Sequence, residues 1–122
     1  MEQLMADIAG SRPERVIYHW LEENCRYPWG YQTPLFGGRL YRGGAVVDFY
    51  IETPLQPVAL RLQSWWHGAL EAQEWDRIQR IQLEGEGLHV VVLWSNEFMR
   101  TETEVDEVAL DDVMYAILAG HR

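Results

Sequence analysis

A chain of 122 residues, 48% hydrophobic and 24% charged, has the length of one domain and too much apolar content for a disordered chain. Its formal net charge of −9 is uneven: residues 1–44 hold five acids and five arginines, and residues 45–122 hold fourteen acids and five arginines. The acidic part repels a phosphate backbone, and the absence of lysine excludes a P-loop, a Schiff base and any step that needs an ammonium side chain.

Met1 to Gly10 carries Glu2 and Asp7 and does not read as a secretory signal. Ser11-Arg12-Pro13-Glu14 opens a helix: Ser11 is an N-cap, Glu14 holds the capping-box position, and proline is tolerated in the first turn. Val16, Ile17, Trp20 and Leu21 form one apolar stripe, which predicts a helix over Pro13–Cys25. Cys25 is the sole cysteine, which excludes an intramolecular disulfide and a cysteine-rich zinc site within one chain; it reads as a small buried apolar residue. Arg26 to Pro34 reads as a loop rich in aromatics, with Tyr27, Trp29 and Tyr31. Gly37-Gly38 and Gly43-Gly44 read as turns around a short strand, Arg39 to Arg42.

Ala45 to Ile51 is a predicted strand with Asp48 at its middle. After a turn at Pro54 and Pro57, Val58 to Gln63 alternates, with Val58, Leu60 and Leu62 on one face and Ala59, Arg61 and Gln63 on the other. These two strands are expected to be sheet neighbours. His67 to Leu83 reads as a helix with Leu70, Trp75, Ile78 and Ile81 as its apolar positions, ended by Gly85 and Gly87. Leu88 to Trp94 is apolar throughout, the pattern of a central strand covered on both faces. Asn96 to Glu107 reads as a polar, acidic surface linker, and Asp111-Asp112 as the start of a last helix, Val113–Ala119, closed by Gly120. The expectation is one α/β (α+β) domain over 1–122, a small mixed sheet flanked by helices, with its core at about 11–95. No apolar run approaches the roughly 20 residues that cross a bilayer, so no membrane partner is expected.

This order, with an acid inside a strand, resembles the PD-(D/E)XK nuclease superfamily, and within it the very-short-patch-repair-like endonuclease branch. Gly43-Gly44-Ala45-Val46-Val47-Asp48-Phe49-Tyr50 is similar to that branch's glycine-flanked strand ending in a Val-Asp-Phe-Tyr type motif. The next family strand carries a glutamate, an acid and a glycine, then a histidine; here that window is Arg61-Leu62-Gln63-Ser64-Trp65-Trp66-His67. The histidine spacing is kept, but Arg61, Gln63 and Ser64 replace the glutamate, the acid and the glycine. Asp76, Arg80, Leu83, Gly87 and Val90-Val91-Val92 follow the rest of the pattern loosely. The resemblance implies a restriction-endonuclease-like core.

It also implies a site that has lost its chemistry. Family members hold Mg2+ or Mn2+ between acids on adjacent strands, and the metal activates a water. Asp48 offers one anionic ligand; Arg61 places a fixed positive charge where a second belongs. The degenerate site is thus Asp48, Arg61, Gln63 and His67, with no cofactor expected. An active site would instead use Asp48, Gln63, His67 and Glu14, with Asp48 and Glu14 on the metal. Plainer readings stand beside these: an Asp48–Arg61 ion pair, Glu14 as a cap, His67 at a helix start, and His19 with Glu23 as a solvated pair. Tyr27, Trp29, Tyr31, Trp65 and Trp66 read as packing or as an interface for a protein partner or self-assembly. The resulting expectation is a non-catalytic structural or interaction module, cytoplasmic, or in a virion if phage-encoded. The alternatives are a metal-dependent DNA endonuclease, and DNA binding without cleavage through Arg12, Arg15, Arg26, Arg39 and Arg42.

Overall fold

In the computed structural model, which describes residues 11–35, 45–63 and 80–122, the predicted first helix forms as α1, Arg12–Asn24. The Ser11 hydroxyl accepts the Glu14 backbone N–H at 3.4 Å, which satisfies one of the orphan donors of the first turn. Val16, Ile17, Trp20 and Leu21 are the residues it buries. At Cys25 the backbone turns extended and the helix stops.

Four strands follow: β1 (Trp29–Leu35), β2 (Ala45–Glu52), β3 (Pro57–Gln63) and β4 (His89–Trp94). Their order in the sheet is β1-β2-β3-β4. The first two neighbouring pairs are antiparallel, and β3 with β4 is parallel. The expected pairing of the second and third strands is therefore observed, with Phe49 opposite Leu60 and Ile51 opposite Val58. The turn between them is held by the Thr53 hydroxyl, which donates to the Gln56 carbonyl at 2.6 Å. A parallel pair requires a crossover; its last part is a helical segment over 80–85 that delivers Leu83 to the sheet. The rest of the predicted His67–Leu83 helix, with Leu70, Trp75 and Ile78, lies outside the described residues, as does the Arg39–Arg42 strand.

Five expectations are corrected. The aromatic loop is strand β1: Trp29, Tyr31 and Thr33 alternate with smaller or polar residues, and pairing with β2 organises them. Trp29 and Tyr31 both meet the Tyr18 ring of α1 edge-on, at 5.1 and 5.6 Å between centroids. Strand β4 ends the described sheet instead of lying centrally. Its sequence is apolar because both faces are covered, Val91 and Leu93 in one cluster and Val90 in another. Ile81, expected among the helix's apolar positions, is 65% exposed.

The fourth correction concerns the acidic linker. After a short 3-10 turn, Ser95–Glu97, both Phe98 and Met99 are buried, and Met99 bridges to Val105. The segment is a clip folded onto the core, with Glu102 and Glu104 exposed and its two large apolar side chains inside. The fifth is the start of the last helix, α2, Glu107–Leu118. Asp106 caps it, accepting the Ala109 N–H at 3.1 Å, five residues before the carboxylates expected to open it at Asp111. Gly120, at φ 76°, stands just past its end, where a left-handed residue terminates a helix.

The core has two parts. On one face of the sheet, α1 and α2 bury Ile17, Leu21, Met114 and Ile117 against Phe49, Ile51, Leu60 and Leu93. On the other, Leu83 and Leu88 meet Val47, Ala59 and Val90. The result is an α+β domain with a four-stranded mixed sheet and helices packed on it.

Candidate functional site

Asp48 sits where the regular pattern of β2 fails. Phe49 and Ile51 belong to the cluster under α1, whereas Val47, two residues before Phe49, belongs to the opposite one. Side-to-side alternation therefore breaks at Asp48. The pairs Tyr31–Phe49 and Thr33–Val47 bracket Gln32 opposite Asp48, and Gln32 has a left-handed φ of 48°. On the other side, the described β2–β3 pairs stop at Phe49–Leu60. Beyond that point the Asp48 carboxylate replaces a main-chain acceptor: its Oδ2 accepts the Leu62 backbone N–H at 2.7 Å. An acid side chain thus occupies a place in the sheet's own hydrogen-bond ladder.

The α1 helix brings a second carboxylate to this region. The Tyr31 hydroxyl donates to Glu14 Oε2 at 2.6 Å, and the Ser11 hydroxyl donates to Oε1 at 3.3 Å. The Tyr31 ring is held from two sides, against Tyr18 and, at 5.3 Å, against Phe49. Its hydroxyl pKa is pushed up, first by burial, next by the hydrogen bond to Glu14, then by the negative charges of Glu14 and Asp48. Tyr31 therefore stays a neutral donor to Glu14.

Asp48 and Arg61 each lie one residue beyond the last described β2–β3 pair, Phe49–Leu60. Arg61 is half-buried, opposite Val92 of β4, and alternation along β3 puts it on the Ala59 face. Gln63 ends β3 opposite Trp94 and is also half-buried. His67, Trp65 and Trp66 lie outside the described residues, as do Arg39 and Arg42. Of the other arginines, Arg12 and Arg26 are exposed and Arg15 is half-buried. Arg12 opens α1 and Arg26 follows its end, roughly 18 Å apart at 1.5 Å per residue, so these two do not share one patch. Tyr27, Trp29 and Tyr31 are partly buried and packed against the core. His19 Nε2 lies 3.2 Å from Glu23 Oε1. Among the described residues, no group of three or more histidine, cysteine, aspartate or glutamate side chains is placed to hold a metal ion.

Two long-range contacts were not legible in the sequence. One is Tyr31 to Glu14, across 17 positions; the only clue was the alternation of Trp29 and Tyr31, which marks a strand but not its partner. The other is the Trp20 indole N–H, which donates to Asp111 Oδ1 at 2.9 Å and ties α1 to α2. In comparisons with protein-family models, curated proteins and solved structures, nothing matches this chain.

Proposed function

We propose that this protein is a non-catalytic module of nuclease-like build that acts through protein contacts. The observation that carries the reading is the state of the two acids. Glu14 and Asp48, the pair a cation would need, are engaged by internal donors: the Tyr31 and Ser11 hydroxyls on Glu14, and the Leu62 N–H on Asp48. A carboxylate that already accepts short hydrogen bonds must lose them to ligate a hard cation. Arg61, on the neighbouring strand, adds a positive charge where the family resemblance calls for an acid as the cation's second ligand. The order of helix, antiparallel strands and parallel crossover strand supports the nuclease-like build.

One observation favours metal-dependent DNA cleavage as a second reading: α1 brings Glu14 to the side of the sheet where Asp48 acts on Tyr31. Incubation with duplex, single-stranded and mismatched DNA in Mg2+ or Mn2+ separates the two. The module reading expects no cleavage. Metal-dependent cleavage that Asp48→Ala abolishes refutes it.

A further inference from the structure

The seam between α1 and α2 is the surface whose chemistry is most definite. A groove of about 440 Å³ runs along it, with Val16, Trp20 and Leu110 at its floor and Glu23, Glu107 and Asp111 along it. His19 also lines it, 3.2 Å from Glu23, and the described lining holds no arginine beside Glu107 and Asp111. A second groove of about 490 Å³ adjoins it, because Glu23 and Asn24 line both, and it continues past the exposed Arg26 to Tyr115 and Leu118. Tyr115 stands at the junction. It is 53% exposed although its ring rests edge-on against Trp20, at 5.1 Å. A large aromatic held rigid by a buried tryptophan and left open to solvent is the kind of side chain that dominates protein contacts.

We infer that this seam binds a basic, apolar-containing segment of a partner protein; the inference rests on the protein-contact reading and gives it a surface. The apolar floor takes an aliphatic or aromatic side chain beside Tyr115, and arginine or lysine side chains meet Glu23, Glu107 and Asp111. Charge complementarity sets the sign: the chain carries −9 overall, and the described lining of the two grooves sets Glu23, Glu107 and Asp111 against one arginine, Arg26, over an apolar base. From Val16 to Asn24 the α1 side of the seam is about 12 Å long at 1.5 Å per residue, the span of roughly four extended residues. Asp111 keeps one oxygen on the Trp20 indole, so the acidic side of the seam is built into the helix–helix contact and does not drift with a loop.

The test pans a random dodecapeptide library on the folded full chain and measures the selected peptides in solution. Binders should be enriched in arginine or lysine flanking an apolar residue, and their affinity should fall as salt rises. The double variant Glu23→Arg/Glu107→Arg, and separately Tyr115→Ala, should each weaken them at least about tenfold, while Glu102→Arg, on the exposed clip, should leave them unchanged. Circular dichroism checks that each variant is folded. Neutral or acidic binders, no binders at all, or affinity indifferent to the seam variants would overturn the inference. So would sedimentation showing a dimer that Glu107→Arg dissociates, because the occupant would then be a second copy. Failure here with no DNA cleavage leaves the module reading in place and moves its contact elsewhere; cleavage in Mg2+ refutes that reading whatever the peptides do.

Discussion

Replacing Asp48 by alanine removes an acceptor from the middle of the sheet. Its Oδ2 holds the Leu62 N–H at 2.7 Å in a part-buried setting, at the point where the described main-chain pairing between β2 and β3 has stopped. Leaving that donor unsatisfied costs about 1–3 kcal/mol. For a chain of this length that is a fall in melting temperature of roughly 4–12 °C. Asp48→Asn keeps a side-chain oxygen at the same place, so it should lose about 1 kcal/mol or less. Thermal and urea melts measure both, and amide hydrogen exchange at Leu62 reports the bond directly: exchange should quicken in the alanine variant and stay near wild type in the asparagine variant. EDTA should leave the wild-type melt unchanged. An asparagine variant as unstable as the alanine one, or a melt that falls with EDTA and recovers with Mg2+, would show that Asp48 is needed for its charge and would refute the internal-acceptor account.

Tyr31→Phe keeps the ring that packs on Tyr18 and Phe49 but removes the donor to Glu14, and should cost about 1 kcal/mol at neutral pH given the part-exposed setting. The folded-state pKa of Tyr31 lies above the unfolded one, so its contribution is full below about pH 10 and is lost as pH rises through the folded value. Alkaline melts of Tyr31→Phe should lack that loss; an identical alkaline profile would contradict it. Phe98→Ala should destabilise by about 3–5 kcal/mol in urea unfolding, because Phe98 is fully buried in the main core; a cost under about 1 kcal/mol would return the clip to a mere linker. Asp106→Ala should cost about 1 kcal/mol through loss of the α2 cap, measured by thermal melts, and a neutral result would place the helix start elsewhere.

Short-range signals in the sequence determined much of this protein. Ser11 and Glu14 mark the start of α1, its apolar stripe is the face it buries, and the alternation of Val58 to Gln63 predicts which β3 residues enter which core. Such signals are local because helix capping and the period of a helix or strand depend on residues a few positions apart. Tertiary structure decided the rest. Trp29–Leu35 is a strand because β2 pairs with it, and Phe98 and Met99 are buried because the core offers them room. The apolar run of β4 told how many of its faces are covered but not how many of its edges are paired, since side chains report burial and only the main chain reports neighbours. The same holds for the site. Asp48 stood out as an acid in an apolar strand, but its acceptor role at Leu62, the Tyr31 hydroxyl on Glu14 and the Trp20–Asp111 tie join residues 14, 17 and 91 positions apart. No periodicity encodes a contact at such separation; it exists only once the sheet and the two helices have packed.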